Sequence, residues 1–252
     1  MSAISAQALA IGYPRRTLAR DISFALSAGE ALAVLGPNGS GKTTLFRTLL
    51  GLLPTIDGKV NIGAHALHTL APADIARAVA YVPQTAGGAF DFSVTEMVEM
   101  ARAAHLSWYA TPGKHDRECA RAALAVVGMG AFAARRFFEL SGGERQLVLI
   151  ARALASEAKT ILLDEPTASL DFGNQLRVLD EIARLKAQGV AILFTTHHPE
   201  QALQLAERTL AIDRQGVVSI GATRQMLTSA FLADLYGVSE ETLARSSFKN
   251  AM

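Results

Sequence analysis

Eight residues constrain this chain more than any others. Gly36-Pro37-Asn38-Gly39-Ser40-Gly41-Lys42-Thr43 follows the apolar run Ala31–Leu35 and precedes a stretch, Thr43–Leu53, whose pattern predicts a helix ended by Pro54. A strand, a glycine-rich turn and a helix in that order make an anion cradle. The glycines let successive backbone N–H groups turn inward, and the helix adds the positive end of its dipole. A lysine and a hydroxyl at the end of the turn suit phosphate oxygens and a divalent cation: Lys42 can reach the β- and γ-phosphates, and Thr43 can ligate Mg²⁺.

A second segment completes that chemistry. Thr160-Ile161-Leu162-Leu163-Asp164-Glu165 is an apolar strand ending in two carboxylates. Asp164 is suited to holding Mg²⁺, directly or through water, and Glu165 to orienting and polarising an attacking water. Strands often end in solvated acids, so this segment acquires meaning only beside the phosphate loop.

The remaining pattern is of alternating strands and helices. Short strands are expected at Ala6–Tyr13, Asp21–Leu26, Gly58–Ile62, Val79–Val82 and Val190–Thr195, with a strand pair over Leu210–Ile220. Ser93 or Thr95 can cap a helix from Val94; Asp116–Val127, Gly143–Ala155 and Gln175–Gln188 read as further helices, with a loop over Thr111–His115 and a helical C-terminal segment. The expected fold is α/β, with a mostly parallel sheet covered on both faces. Residues 1–252 form one domain: 1–86 and 156–252 make the core, and 87–155 an inserted helical lobe.

Leu140-Ser141-Gly142-Gly143-Glu144-Arg145-Gln146 opens the predicted Gly143 helix with a hydroxyl and two glycines, a second anion site or simply a good N-cap. Leu140–Glu144 resembles the signature motif of ABC ATPases, which usually ends in Gln. Other motifs of that family fall in register along nearly the whole chain. Tyr13 looks like the aromatic that stacks on adenine, and Gln84, in Tyr81-Val82-Pro83-Gln84, like the Q-loop glutamine. Ser169-Leu170-Asp171 resembles the D-loop, and His197, after Phe194-Thr195-Thr196, the switch histidine. Tyr13 could also be an ordinary strand aromatic and Gln84 a polar strand end; His198 reads as a solvated neighbour.

The resemblance implies a P-loop NTPase (ABC ATPase) core with an N-terminal antiparallel β portion. It implies ATP and Mg²⁺ as ligands. Glu165, His197, Lys42 and Gln84 are then catalytic, and Thr43, Gln84 and Asp164 surround the metal. Tyr13, Gly36, Pro37, Asn38, Gly39, Ser40, Gly41, Lys42, Thr43 and Thr44 bind nucleotide, with Ser141, Gly142, Gly143, Glu144 and Asp171 contributed across a head-to-tail homodimer. It further implies two integral-membrane permease subunits and, indirectly, an extracytoplasmic substrate-binding protein, with the chain held peripherally at the cytoplasmic face of the inner membrane. Phe90-Asp91-Phe92-Ser93-Val94-Thr95-Glu96-Met97-Val98-Glu99-Met100-Ala101-Arg102, then His105, looks like importers of iron chelates, haem, cobalamin or metal oxyanions, although Ala101 stands where those often have glycine. A groove beside this segment would receive a permease helix, or Phe90 and Phe92 merely pack the lobe onto the core. The alternative is a soluble ABC ATPase of an assembly complex of the iron–sulfur type.

Composition narrows the rest. A formal charge of +1 gives no bulk electrostatic case for nucleic acid. No apolar stretch reaches the ~18–20 residues of a membrane helix, and Met1–Ala10 has no signal-like pattern. Cys119 is the one cysteine, which excludes an internal disulfide and a multi-cysteine metal site; His65, His68, His105 and His115 read as loop histidines without metal-ligand spacing.

Overall fold

The computed structural model describes residues 2–84, 92–106, 110–168 and 170–244. The chain opens with a long hairpin, β1 (Ser2–Tyr13) and β2 (Arg16–Ser27), and continues through β3 (Ala31–Leu35), α1 (Lys42–Leu49), β4 (Asp57–Ile62), β5 (His65–Ala66), α2 (Pro72–Ala78) and β6 (Val79–Val82). Helices α3 (Val94–Glu99), α4 (Lys114–Val126) and α5 (Gly142–Ala155) follow. Then come β7 (Thr160–Asp164), α6 (Phe172–Ala187), β8 (Ala191–Thr195), α7 (Pro199–Leu205), β9 (Arg208–Ile212) and β10 (Val218–Ala222), with α8 (Thr223–Met226), α9 (Ser229–Tyr236) and α10 (Glu240–Ala244) at the end.

Two sheets organise these elements. The first is antiparallel, in the order β2-β1-β4-β5. The second has the order β10-β9-β3-β8-β7-β6, in which β9, β3, β8, β7 and β6 run parallel and β10 closes the edge antiparallel to β9. Strands β3, β7 and β8 are buried along their whole length, as near-continuous apolar runs in a sheet covered on both faces should be. Alternate residues feed two cores. Leu32, Val34, Leu162 and Leu193 pack with α1 and the antiparallel sheet, whereas Leu35, Ile161, Leu163, Ile192 and Phe194 pack with the helical elements. Helices α3, α4 and α5 pack on one another, and α5 also meets β6 and α6. Phe92 packs against this second core, in line with a structural role; Phe90 and Asp91 lie outside the described residues.

Two local expectations are corrected and one open alternative is decided. Helix α1 ends at Leu49 rather than Leu53, because Gly51 turns left-handed (φ +69°). Leu52 N–H then bonds Arg47 O at 2.8 Å and Gly51 N–H bonds Thr48 O at 3.1 Å, a Schellman closure. His115 lies in α4 rather than in a loop. Ser93, not Thr95, caps α3: its hydroxyl accepts from Glu96 N–H while Glu96 accepts from Ser93 N–H. Among the described residues no helix is long and apolar enough to cross a membrane.

Candidate functional site

The glycine-rich loop connects the carboxyl end of β3 to α1, and the cleft above it measures about 1400 Å³. Its backbone tolerates little else: Gly36 has φ +153°, and a Cβ there would lie 2.2 Å from the Ile212 carbonyl oxygen. Gly41 takes φ +107° as the N-cap of α1, so the first N–H groups of that helix open onto the loop. Residues Gly36 through Thr44 all line the cleft. Among the described residues the buried Ser40 hydroxyl has no hydrogen-bond partner, which fits a loop shaped to receive an additional oxygen ligand. Lys42 Nζ donates to the carbonyls of Gly36 (2.7 Å) and Pro37 (3.2 Å). Burial pushes its pKa down, against the opposing pull of Glu165 and Asp164.

Parallel pairing of β7 with β8 places the acidic strand end beside this loop. Thr43 Oγ1 donates to Asp164 Oδ2 at 2.9 Å, while Thr195 Oγ1 donates to Asp164 Oδ1 at 2.7 Å. Tyr81 Oη approaches Asp164 Oδ2 at 3.3 Å, and burial together with that carboxylate pushes the phenol up to about 12. A hydroxyl and a carboxylate at hydrogen-bond distance are hard oxygen donors of the kind Mg²⁺ takes alongside phosphate oxygens, so the residues fit that ion.

Glu165 is the most unusual residue of the site. Its φ of +48° is uncommon for a residue other than glycine, and such strain concentrates at functional sites. The strained turn is held by its N–H, which donates to Thr195 Oγ1 at 2.8 Å. Its Oε2 accepts from Gln84 Nε2 at 2.9 Å and lies 3.4 Å from His197 Nδ1. Gln84 and His197, each just past a different strand end, thus converge on the carboxylate of Glu165. The His198 ring lies tilted against that of His197 (centroids 4.0 Å, 42° between planes), and its Nδ1 sits 3.3 Å from Glu200.

Tyr13, at the end of β1, also lines the cleft and is 42% exposed, leaving its ring available to a flat ligand. The cleft has further walls that sequence reasoning missed: Arg16, Arg214 and Tyr236. Arg16 could have been found only from the hairpin register, which pairs it with Tyr13. Arg214 and Tyr236 are brought in by tertiary folding, where Arg214 Nη2 donates to the Tyr236 carbonyl at 3.4 Å. Burial pushes the Tyr236 hydroxyl up to about 12.

The glycine-rich segment before α5 is not part of this cleft. Ser141 and Glu144 form a capping box: the Ser141 hydroxyl accepts from Glu144 N–H at 3.3 Å, and Ser141 N–H donates to Glu144 at 2.8 Å. Ser141 and Gly142 are exposed, whereas Gly143 is buried against α6, where a Cβ would meet the Asn174 side chain at 2.3 Å. Asp171 caps α6, accepting from Asn174 N–H at 2.9 Å. Ser169 lies outside the described residues.

Residues 19–168 match the family model described as ABC transporter. An uncharacterized ABC transporter ATP-binding protein of Haemophilus influenzae is 44% identical over 95% of this chain and 91% of its own length. The molybdate import ATP-binding protein MolC of the same organism is 40% identical over 93% of this chain and 88% of its own. A solved ABC transporter in an inward-facing conformation, described as of metal-chelate type, superposes with a TM-score of 0.84 at 39% identity, covering 93% of this chain and 89% of that one.

Proposed function

The chain belongs to the ABC transporter family, as an ATP-binding and ATP-hydrolysing subunit, and from that premise we propose that it works as a homodimer energising an importer of a metal oxyanion, an iron chelate, haem or cobalamin. The observation that carries the catalytic reading is the convergence of Gln84 and His197 on Glu165 beside the Thr43–Asp164 pair. The molybdate-importing and metal-chelate relatives support the cargo class. None of these relatives is named for an assembly complex.

In this reading the loop N–H groups and Lys42 hold the triphosphate, Tyr13 stacks on adenine, and Thr43 and Asp164 hold Mg²⁺. The metal, when bound, neutralises phosphate charge. Glu165 accepts a hydrogen bond from a water and so orients it in line with the γ-phosphate, and Gln84 and His197 keep that carboxylate in place. Transfer of the γ-phosphoryl group to that water forms the new oxygen–phosphorus bond and breaks the bond to the β-phosphate oxygen, giving ADP and inorganic phosphate as the water's proton passes to Glu165. Ser141 and Gly142 are exposed at the start of a 14-residue helix and outside their own chain's cleft, which supports their serving the nucleotide of a second copy, with Asp171 near the same junction. If Tyr13 stacks on the base, Tyr13→Ala weakens ATP binding by roughly 1–3 kcal/mol and Tyr13→Trp preserves it, as a fluorescent-nucleotide titration would report. Unchanged affinity in the alanine variant returns Tyr13 to an ordinary strand aromatic.

Coupling to a permease at the cytoplasmic face, with an extracytoplasmic binding protein supplying cargo, is supported by an apolar groove of about 480 Å³. Leu52, Ile75, Tyr81, Met100 and Ala104 line it, together with Arg152. Arg152 Nη1 lies 3.6 Å from Met97 Sδ, burial pushes its pKa down, and among the described residues no carboxylate pairs with it. A partner segment bringing apolar side chains and a hydrogen-bond acceptor fits such a wall. The helical lobe, residues 87–155, would carry the motion. Met100, 39% exposed at this groove, offers the direct test. Met100→Cys, in a Cys119→Ser background, should cross-link to a cysteine placed in a cytoplasmic permease helix, and Met100→Glu should impair transport while sparing ATPase activity of the isolated subunit. A full set of permease positions without a cross-link would refute this docking site.

A further inference from the structure

Away from the nucleotide cleft, the start of α4 and the residues just past α5 assemble three different donor groups. His115 and Cys119 stand four residues apart on α4, on one helical face. Glu157 lies two residues beyond the end of α5, with φ +57° and its N–H bonded to Leu154 O at 2.9 Å. Cys119 Sγ is 3.6 Å from His115 Nε2, and one ligand atom from each of His115, Cys119 and Glu157 lies within 4.8 Å of the others.

That sulfur–nitrogen separation is informative. With metal–sulfur and metal–nitrogen bonds of about 2.3 and 2.0 Å, a tetrahedral zinc site separates the two donors by roughly 3.5 Å. The His115–Cys119 pair therefore already spans one edge of such a tetrahedron. The carboxylate has at most about 1.5 Å to close, within reach of a side-chain rotation for the half-exposed Glu157.

The support behind these donors is rigid. Arg102 is almost wholly buried, and it donates to Asp116 (3.0 Å), to the Ala155 carbonyl (2.9 Å) and to Glu157 Oε2 (2.6 Å). Asp116 sits between His115 and the rest of α4, so one guanidinium ties the first turn of that helix to the end of α5. It also orients the Glu157 carboxylate through one oxygen and leaves the other for a ligand. A fixed group behind a ligating carboxylate is how outer-shell contacts commonly orient metal ligands.

We infer that His115, Cys119 and Glu157 form a binding site for a thiophilic divalent transition-metal ion of the zinc class, with water completing the coordination. A thiolate, an imidazole and a carboxylate select such an ion over Mg²⁺ or Ca²⁺, which prefer oxygen donors throughout. The site is thus chemically distinct from the Thr43–Asp164 position. Its place in the fold gives it a mechanical consequence. A metal there braces α4 against the Ser156–Lys159 connection, which runs directly into β7 and hence to Asp164 and Glu165.

The test uses the full chain, thiol-reduced and nucleotide-free, titrated with Co²⁺ and then with Zn²⁺. One equivalent of Co²⁺ should produce a near-ultraviolet thiolate-to-cobalt charge-transfer band that Zn²⁺ displaces, and Zn²⁺ should raise the melting temperature. Cys119→Ser should abolish the band, and His115→Ala and Glu157→Gln should each weaken binding about tenfold or more. Glu157→Gln keeps an oxygen acceptor for Arg102, and Cys119 is only partly buried, so both variants should retain the fold, which their metal-free melting temperatures report. Absence of the band in the parent overturns the inference. So does a band that survives both His115→Ala and Glu157→Gln unchanged, which would identify a solitary surface thiol whose 3.6 Å contact with His115 is only a hydrogen bond.

Discussion

Replacing Glu165 by Gln is expected to leave ATP binding near the parent level while lowering turnover by about 10²–10⁴-fold, the range typical of a positioned proton acceptor. Glutamine preserves the shape of the side chain and an oxygen for Gln84 Nε2, now 2.9 Å from Glu165 Oε2. It removes the charge and basicity that would align and polarise a water. Since binding and chemistry are then separated, the variant should accumulate as an ATP-bound dimer, visible by light scattering at saturating nucleotide and reversed when nucleotide is removed. Near-parent turnover would remove Glu165 from its proposed role. A large loss of turnover with no dimer would retain the catalytic role and reject the two-chain site.

Lys42→Ala should act earlier in the cycle. The ammonium is the one lysine in the loop, and its contacts with the Gly36 and Pro37 carbonyls show that it reaches across the cradle rather than out to solvent. Removing it deletes a charge-assisted contact of about 1.5–3 kcal/mol in the bound state, so ATP affinity should fall by tenfold or more. Turnover should fall by a further 10²–10³ at saturating nucleotide, roughly the loss seen when one preorganised donor is withdrawn from developing negative charge. Unlike the Glu165 variant, this one should not collect as an ATP-bound dimer. Calorimetric titration with ATP and Mg²⁺ separates the two behaviours, and unchanged affinity would mean that the backbone N–H groups alone hold the phosphates.

What could be read without coordinates was what is contiguous. The phosphate loop, the acidic strand end and the Ser141–Glu144 segment each encode their local conformation within a few residues, through glycine backbone freedom, apolar runs and side-chain capping. Their order along the chain was enough to expect an α/β core with an inserted helical lobe and a family resemblance. Helix ends were less legible: α1 stops at Leu49, five residues before Pro54, because Gly51 adopts a left-handed turn.

Tertiary structure decided everything that depends on separate segments meeting. The positive φ of Glu165 is sustained by Thr195, thirty residues on, and its carboxylate is held by Gln84 and His197 from two other strand ends. Arg16, Arg214 and Tyr236 enter the same cleft with no motif to announce them. His115 and Cys119 show one-turn spacing only once α4 is known to begin at Lys114, and Glu157 joins them only because buried Arg102 binds both ends of that junction. Local conformation follows from steric and hydrogen-bonding preferences a few residues wide. Convergence of side chains follows from parallel strand pairing and the burial of two apolar faces, and those forces act between residues that the sequence keeps far apart.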